Sequence, residues 1–354
     1  MMKLSGRKSS KLRRLIQWSV FLLAIVLILP LVPYMFVDAK ADIAVPNPGA
    51  GLWRDVRQRD AQVTGTTQVK GTDTGTLISE SGERWRQFRM EQLVPYSAYL
   101  LAGVVLALIL YWFIKGQIKI EGGRSGKKLF RFNVNQRTAH WVMAGLFVVL
   151  GLTGLVLLYG RFVLIPLLGP EGFSWTAIVA KRIHDFSGPL FGVALLMMFF
   201  TFVKRNILKK VDMEWFLSGG GFLVGKHVDS GYFNGGEKVW FWLTVLGGGV
   251  IVVSGLVLDF PNLAFNRETL ELSHVLHTIS AMIVLAVSLG HIYMGTVGVE
   301  GAYEAMATGY CDANWAKEHH DYWYQDMISG KDSHASTEAE EGSQPQREQP
   351  ATSG

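Results

Sequence analysis

His277-Thr278-Ile279-Ser280-Ala281-Met282-Ile283-Val284-Leu285-Ala286-Val287-Ser288-Leu289-Gly290-His291 decides the reading: an uncharged run bracketed by two histidines. The histidines are 14 positions apart. On a helix that offset returns to within about 40° of the same face and rises about 21 Å. A helix crossing roughly 30 Å of hydrocarbon would therefore present two imidazoles on one side, one near each surface. Ionisable side chains are expensive inside a membrane and mark function there.

Working outward, apolar blocks of similar length recur at about Leu15–Phe36, Pro95–Ile114, Trp141–Tyr159, His184–Val203, Val239–Leu258 and Val275–Gly295. The 354-residue chain is 49% hydrophobic and 18% charged, values that a soluble domain also reaches. What separates the classes is that the apolar residues are gathered into membrane-length blocks. The net charge of +5 is not a nucleic-acid signal, because Lys and Arg sit mostly in the short loops between blocks. One cysteine, Cys311, excludes an internal disulfide framework, a CxxCH haem attachment and a cysteine-ligated iron–sulfur cluster. Any redox cofactor has to be held by histidine.

The loops carry the orientation. Lys115, Lys119, Arg124, Lys127, Lys128, Arg131 and Arg137 face a single Glu121 between the second and third blocks. The Lys204–Lys238 loop holds six basic residues, whereas Gly160–Ile183 holds three and Asp259–His274 only Arg267. The positive-inside rule puts the first two loops in the cytoplasm and the last two outside. Residues 1–41 combine six basic residues before Leu15, an apolar core and Ala39-Lys40-Ala41. They read as a secretory signal or, because the core is long, an anchor helix. Residues 42–94 read as an exported, periplasmic polar segment, 95–115 as an additional transmembrane helix, and 331–354 as a disordered cytoplasmic tail.

Topology then sorts the histidines by depth. The helix of His277 and His291 runs inward, so His277 is at the outer level and His291 at the inner. His140 opens an inward-to-outward helix at the inner level, and His184 opens the next helix at the outer level. Depth pairs His140 with His291 and His184 with His277. His274 competes for the outer position but points about 100° away from His291 and lies at the block's end. Zinc or copper would want three or four ligands converging at one depth. Two imidazoles on opposite sides of an iron saturate a porphyrin's axial positions, which suits electron transfer. The expectation is two haems b. Gly145, Gly151, Gly154, Gly188, Gly192, Gly290 and Gly295 near these histidines fit either macrocycle clearance or close helix packing in lipid. Arg137, Lys181 and Arg182 suit haem propionates or interfacial anchoring.

Over about Phe130–Met327 the chain also resembles the gamma subunit of respiratory formate dehydrogenase, a membrane cytochrome b. The resemblance rests on Arg137-Thr138-Ala139-His140-Trp141, His184-Asp185-Phe186-Ser187-Gly188 and Phe233-Asn234-Gly235-Gly236-Glu237-Lys238. It extends to the His277/His291 helix with Ile292-Tyr293-Met294, and to Trp315-Ala316-Lys317-Glu318-His319-His320. It implies that His140, His184, His277 and His291 ligate an outer and an inner haem b, and that the inner one lies beside a quinone site. By position the quinone contacts would be Asn234, Gly236, Glu237 and His291, with menaquinone or ubiquinone as acceptor. Without the resemblance, Asn-Gly-Gly-Glu before a membrane helix reads as an N-cap and turn. The chain has no ligand set for molybdenum or tungsten. The resemblance therefore implies an iron–sulfur beta subunit and a catalytic alpha subunit as partners, in the bacterial inner membrane. The fold expected is all-α and integral to the membrane: a four-helix haem-binding bundle within residues 116–330, one preceding transmembrane helix and the N-terminal signal or anchor. A cytochrome b subunit of a hydrogenase or thiosulfate reductase shares the bis-histidine logic and is the alternative.

Overall fold

The computed structural model describes residues 80–218, 229–263 and 265–330. The expected signal or anchor, most of the polar segment 42–94 and the tail 331–354 lie outside the described residues. So does the part of the Lys204–Lys238 loop that holds Lys226.

The described chain is helical: α1 (Glu80–Gln87), α2 (Val94–Lys115), α3 (Val134–Phe202), α4 (Lys210–Leu217), α5 (Gly235–Asp259), α6 (Arg267–Tyr293), α7 (Ala302–Thr308), α8 (Ala313–His319) and α9 (Asp321–Ile328). A π-helical turn, Phe88–Leu93, joins α1 to α2. Among the described residues, four helical stretches are long and apolar enough to cross a membrane: Arg84–Lys115, Val134–Arg205, Gly235–Asp259 and Arg267–Gly298. Their outward faces carry Leu106, Phe113, Leu167, Leu246 and Val253, all well over half exposed, as a lipid-facing surface requires. The protein is a multi-pass membrane protein.

At 69 residues, α3 would reach about 100 Å if straight, far more than one bilayer core. It is two limbs. Gly169 breaks it at φ 73° and ψ 172°, a conformation glycine adopts without Cβ strain. Pro170 follows and suits the first turn of the second limb. Ring contacts run in reverse order across the break, Phe147 with Phe191 and Phe132 with Phe202, so the limbs form an antiparallel hairpin. The limbs, α5 and α6 make the four-helix bundle, and α2 lies beside α6. Trp85 meets His274 at one end of that pair, and Tyr111 and Trp112 meet Tyr293 at the other. The expected outer loop Gly160–Ile183 is corrected: it is helical on both sides of Gly169. Helix begins at Glu80, within the segment read as polar.

Three bundle helices start on asparagine, a favoured N-cap. Asn133 and Asn234 each form a capping box, with Gln136 and Glu237. Asn266 Oδ1 accepts from the Thr269 amide at 2.8 Å.

A small polar-and-aromatic cap closes the His140/His291 end. Strands β1 (Lys128–Phe130) and β2 (Tyr310–Asp312) pair antiparallel and carry α7, α8 and α9 with them. Arg131, 4% exposed, is its rivet. Its guanidinium donates to Tyr232 O at 2.8 Å and lies over the rings of Trp315, Trp323, Phe132 and Tyr232 at 4.9–5.3 Å. Burial, and after it the Arg131 charge, hold the His320 imidazole well below its usual range, and its Nδ1 contacts Gly231 O at 2.9 Å. Burial likewise pushes the Cys311 thiol up to about 11, so the single cysteine is unreactive at neutral pH.

Candidate functional site

The structure brings the four candidate histidines together in two pairs. His184, on the second limb of α3, and His277, on α6, have ring centroids 6.1 Å apart. His140, near the start of the first limb, and His291, near the end of α6, have centroids 6.3 Å apart. The pairs lie at opposite ends of the bundle because His277 and His291 are separated by almost four turns of one helix. Among the described residues, no three His, Cys, Asp or Glu side chains converge on a point that could hold a metal ion. That leaves paired imidazoles as the ligand sets available.

The spacing suits a metal between each pair. A metal–imidazole bond of about 2.0–2.1 Å, with roughly 1.1 Å more to each ring centre, sets two rings sharing one metal about 6.3 Å apart. At the first pair the ring nitrogens are also assigned. His277 Nδ1 lies 3.0 Å from the Ile251 carbonyl, which only accepts, so Nδ1 carries the proton. Ser254 Oγ stands 3.2 Å from the same nitrogen. His184 Nδ1 is 2.9 Å from Thr153 Oγ1, whose own proton has Val149 O to donate to at 2.8 Å. Both Nε2 atoms are thereby left as bare ligand nitrogens. At the second pair, His140 Nδ1 is buried without a hydrogen-bond partner, and His291 stacks on Trp240 at 5.1 Å and 20°. The second pair thus shares the ring spacing of the first, while His140 Nδ1 lacks the oxygen partner that His184 and His277 have. The residues fit axial ligation of two porphyrin irons.

Glycines clear the first pair. A Cβ at Gly154 would stand 3.3 Å from His184 Cε1, and one at Gly255 3.1 Å from His277 Cε1. Of the two uses open for Gly154 in the sequence, the room goes to a ring that belongs to the site. His274 is apart from both pairs, against Trp85 at 6.0 Å. Arg137 donates from Nη1 to Ala307 O at 2.9 Å and keeps a buried Nε without a partner. Lys181 pairs with Asp185 at 2.8 Å.

The candidate quinone residues stand at the His140/His291 end. Asn234 Oδ1 accepts from the Glu237 amide at 2.9 Å, and Glu237 Oε2 accepts from the Asn234 amide at 2.8 Å. The N-cap reading of Asn234 is thus a fact of the structure, and it leaves the Asn234 amide NH2 for other work. Gly236 lies under Trp215, where a Cβ would come within 2.7 Å. Glu237 Oε1 is 3.8 Å from Arg131 and 3.9 Å from His320. Sequence reasoning missed the hydroxyls of Thr153 and Ser254 and the cage around Arg131.

Antiparallel membrane helices holding opposed imidazole pairs define a membrane cytochrome of the b type. A family model described as prokaryotic cytochrome b561 matches residues 131–309, half of the chain, and the chain belongs to that family. It is 28% identical over 203 residues to the formate dehydrogenase cytochrome b556(fdo) subunit of Escherichia coli K12, covering 56% of this chain and 93% of that protein. It is 29% identical over 221 residues to the nitrate-inducible formate dehydrogenase cytochrome b556(Fdn) subunit of the same strain, covering 61% and 98%. For the formate dehydrogenase cytochrome b556 subunit of Haemophilus influenzae the identity is 28% over 210 residues, covering 58% and 85%.

Proposed function

We propose that this chain is the membrane cytochrome b (gamma) subunit of a formate dehydrogenase, conducting electrons through two haems b to a membrane quinone. The observation that carries the reading is the pair of ring separations, 6.1 Å and 6.3 Å, at two levels of one bundle. His184 and His277 would hold the outer haem, and His140 and His291 the inner. Held there, haem iron would supply reversible one-electron transfer. The chain's own residues do the rest. Thr153 and Ser254 fix the outer imidazoles, and the apolar helices exclude water from the path. The basic loops around Arg124–Arg137 and Lys204–Lys210 support a cytoplasmic location for the inner end. The relatives are named as subunits of formate dehydrogenases, which supports assembly with other subunits. In this reading these are an iron–sulfur beta subunit and a molybdenum- or tungsten-containing alpha subunit, the latter oxidising formate outside the bacterial inner membrane. Electrons arriving from outside, with protons taken up at the inner end, would build membrane potential. The complex purified through this chain is expected to hold two low-spin haems b per chain, both reduced by formate. One haem per chain, or haems that formate leaves oxidised, would refute the reading.

In this reading quinone binds at the inner end, with the Asn234 amide donating to a quinone carbonyl. Because Asn234 also caps α5, the informative replacement is Asn234→Ser, which keeps an N-cap acceptor and removes the NH2 donor. Losing one such bond with its partner left unpaired costs about 1–3 kcal/mol, roughly five- to 150-fold in quinone reactivity. Both haems are expected to remain bound and reducible by formate, while their reoxidation by added quinone slows. Wild-type reoxidation across a range of quinone concentrations would place the site elsewhere.

A further inference from the structure

The outer histidines are held by a device that occurs twice. Thr153-Gly154-Leu155-Val156-Leu157, on the first limb of α3, and Ser254-Gly255-Leu256-Val257-Leu258, on α5, are one motif with Thr exchanged for Ser. In each copy the hydroxyl has a backbone carbonyl one turn back to donate to, Val149 O at 2.8 Å and Val250 O at 2.6 Å. Its oxygen then meets the histidine Nδ1 on the next helix, at 2.9 Å for His184 and 3.2 Å for His277. The glycine beside it makes room for the same ring's Cε1. The two limbs of α3, and α5 with α6, are thus two copies of one hairpin: one strand of the hairpin brings hydroxyl and glycine, the other brings histidine. Counting back equally from the motif, His140 in the first copy corresponds to Phe241 in the second. The outer pair is therefore built from equivalent positions. The inner pair is not, and its His140 Nδ1 has no hydrogen-bond partner.

From this asymmetry we infer that Thr153 and Ser254 are positioning residues that hold the outer site at a lower reduction potential than the inner one, making inward electron flow downhill. The inference rests on the two-haem reading above. An Nδ1–H bonded to an oxygen makes the opposite nitrogen a stronger ligand base, which favours ferric over ferrous iron, and hydrogen bonding around the ligands is a lever on haem potential. With haems held by these residues, each transfer would move one electron, the outer site being oxidised as the inner site is reduced. No proton moves in that step.

The test is an optical redox titration of the full-length haem-loaded chain in membranes. Wild type should give two one-electron waves. Thr153→Val should move the lower wave to higher potential and leave the upper one in place. Ser254→Ala should move it the same way by less, because His277 Nδ1 keeps the Ile251 carbonyl at 3.0 Å. Thr153→Ser and Ser254→Thr should restore it. The hydroxyl variants should also bind the outer haem about 10–100-fold more weakly. If a variant loses that haem, recovery in the hydroxyl-retaining replacement still supports the inference, and equal loss in both overturns it in favour of simple packing. Two waves that neither variant shifts, or a shift of the upper wave alone, also overturn it. A single wave from a wild-type protein that holds two haems per chain means equal potentials and overturns this inference alone, whereas a single wave with one haem per chain overturns the two-haem reading as well.

Discussion

His184→Ala is expected to lower the haem content of the purified chain from two per chain to one, and His277→Ala to do the same. Each removes half of a ring pair whose centroids are 6.1 Å apart, and among the described residues no other imidazole is placed to replace it. The nearest candidate in sequence, His274, is turned against Trp85. His274→Ala should accordingly leave both haems bound, which makes it the control for a general loss of fold. His140→Ala should remove the other haem, and His184→Ala combined with His140→Ala should remove both. Haem quantification with reduced-minus-oxidised spectra reads every variant directly. If His274→Ala loses a haem while His277→Ala keeps two, the outer ligand has been misassigned. If His184→Ala and His140→Ala deplete the same haem, the two-level arrangement is wrong.

Lys238→Met is expected to have the largest effect on stability. Lys238 Nζ lies 2.9 and 2.7 Å from the two oxygens of Asp212, joining α4 to the first turn of α5, and the two side chains are 3% and 2% exposed. A buried ion pair adds little over a well-packed apolar pair, but removing one partner strands the other charge, at about 3–5 kcal/mol. The Lys209 amide, which donates to Asp212 Oδ2 at 2.6 Å, cannot replace a full positive charge. That cost approaches the whole margin of a marginally stable protein, so the yield of folded chain should collapse. Asp212→Leu with Lys238→Met should recover most of it, since neither charge is then buried. Thermal unfolding in detergent compares the three proteins. A single variant as stable as wild type would show that water reaches the pair.

Much of this was legible in the sequence, for reasons that can be named. The pairing of His140 with His291 and His184 with His277 followed from depth alone, because charge bias in the loops orders the helices and a two-heptad spacing puts two rings on one face. The loop expected at Gly160–Ile183 failed because hydropathy marks where lipid touches the chain, whereas helix ends only where a residue such as Gly169 breaks it. The cap was invisible: its strands are three residues long and their partners are about 180 positions apart, so no local pattern announces them. Thr153 and Ser254 were passed over because a hydroxyl in a membrane helix ordinarily satisfies itself on the preceding turn. These two do that and accept from histidine as well. The signal was there, in the repeated five-residue motif.

The pairing of β1 with β2 also fixes an order of events. Residues 128–130 leave the ribosome early and must wait for residues 310–312, which emerge only after every helix of the bundle has been made. Until then the end of the bundle holding His140 and His291 has no cover, and Arg131 has neither Trp315 nor Trp323 to settle between. All four histidines precede the second strand of the clasp in the chain, so both ring pairs are made from segments synthesised before the cover over one of them can close.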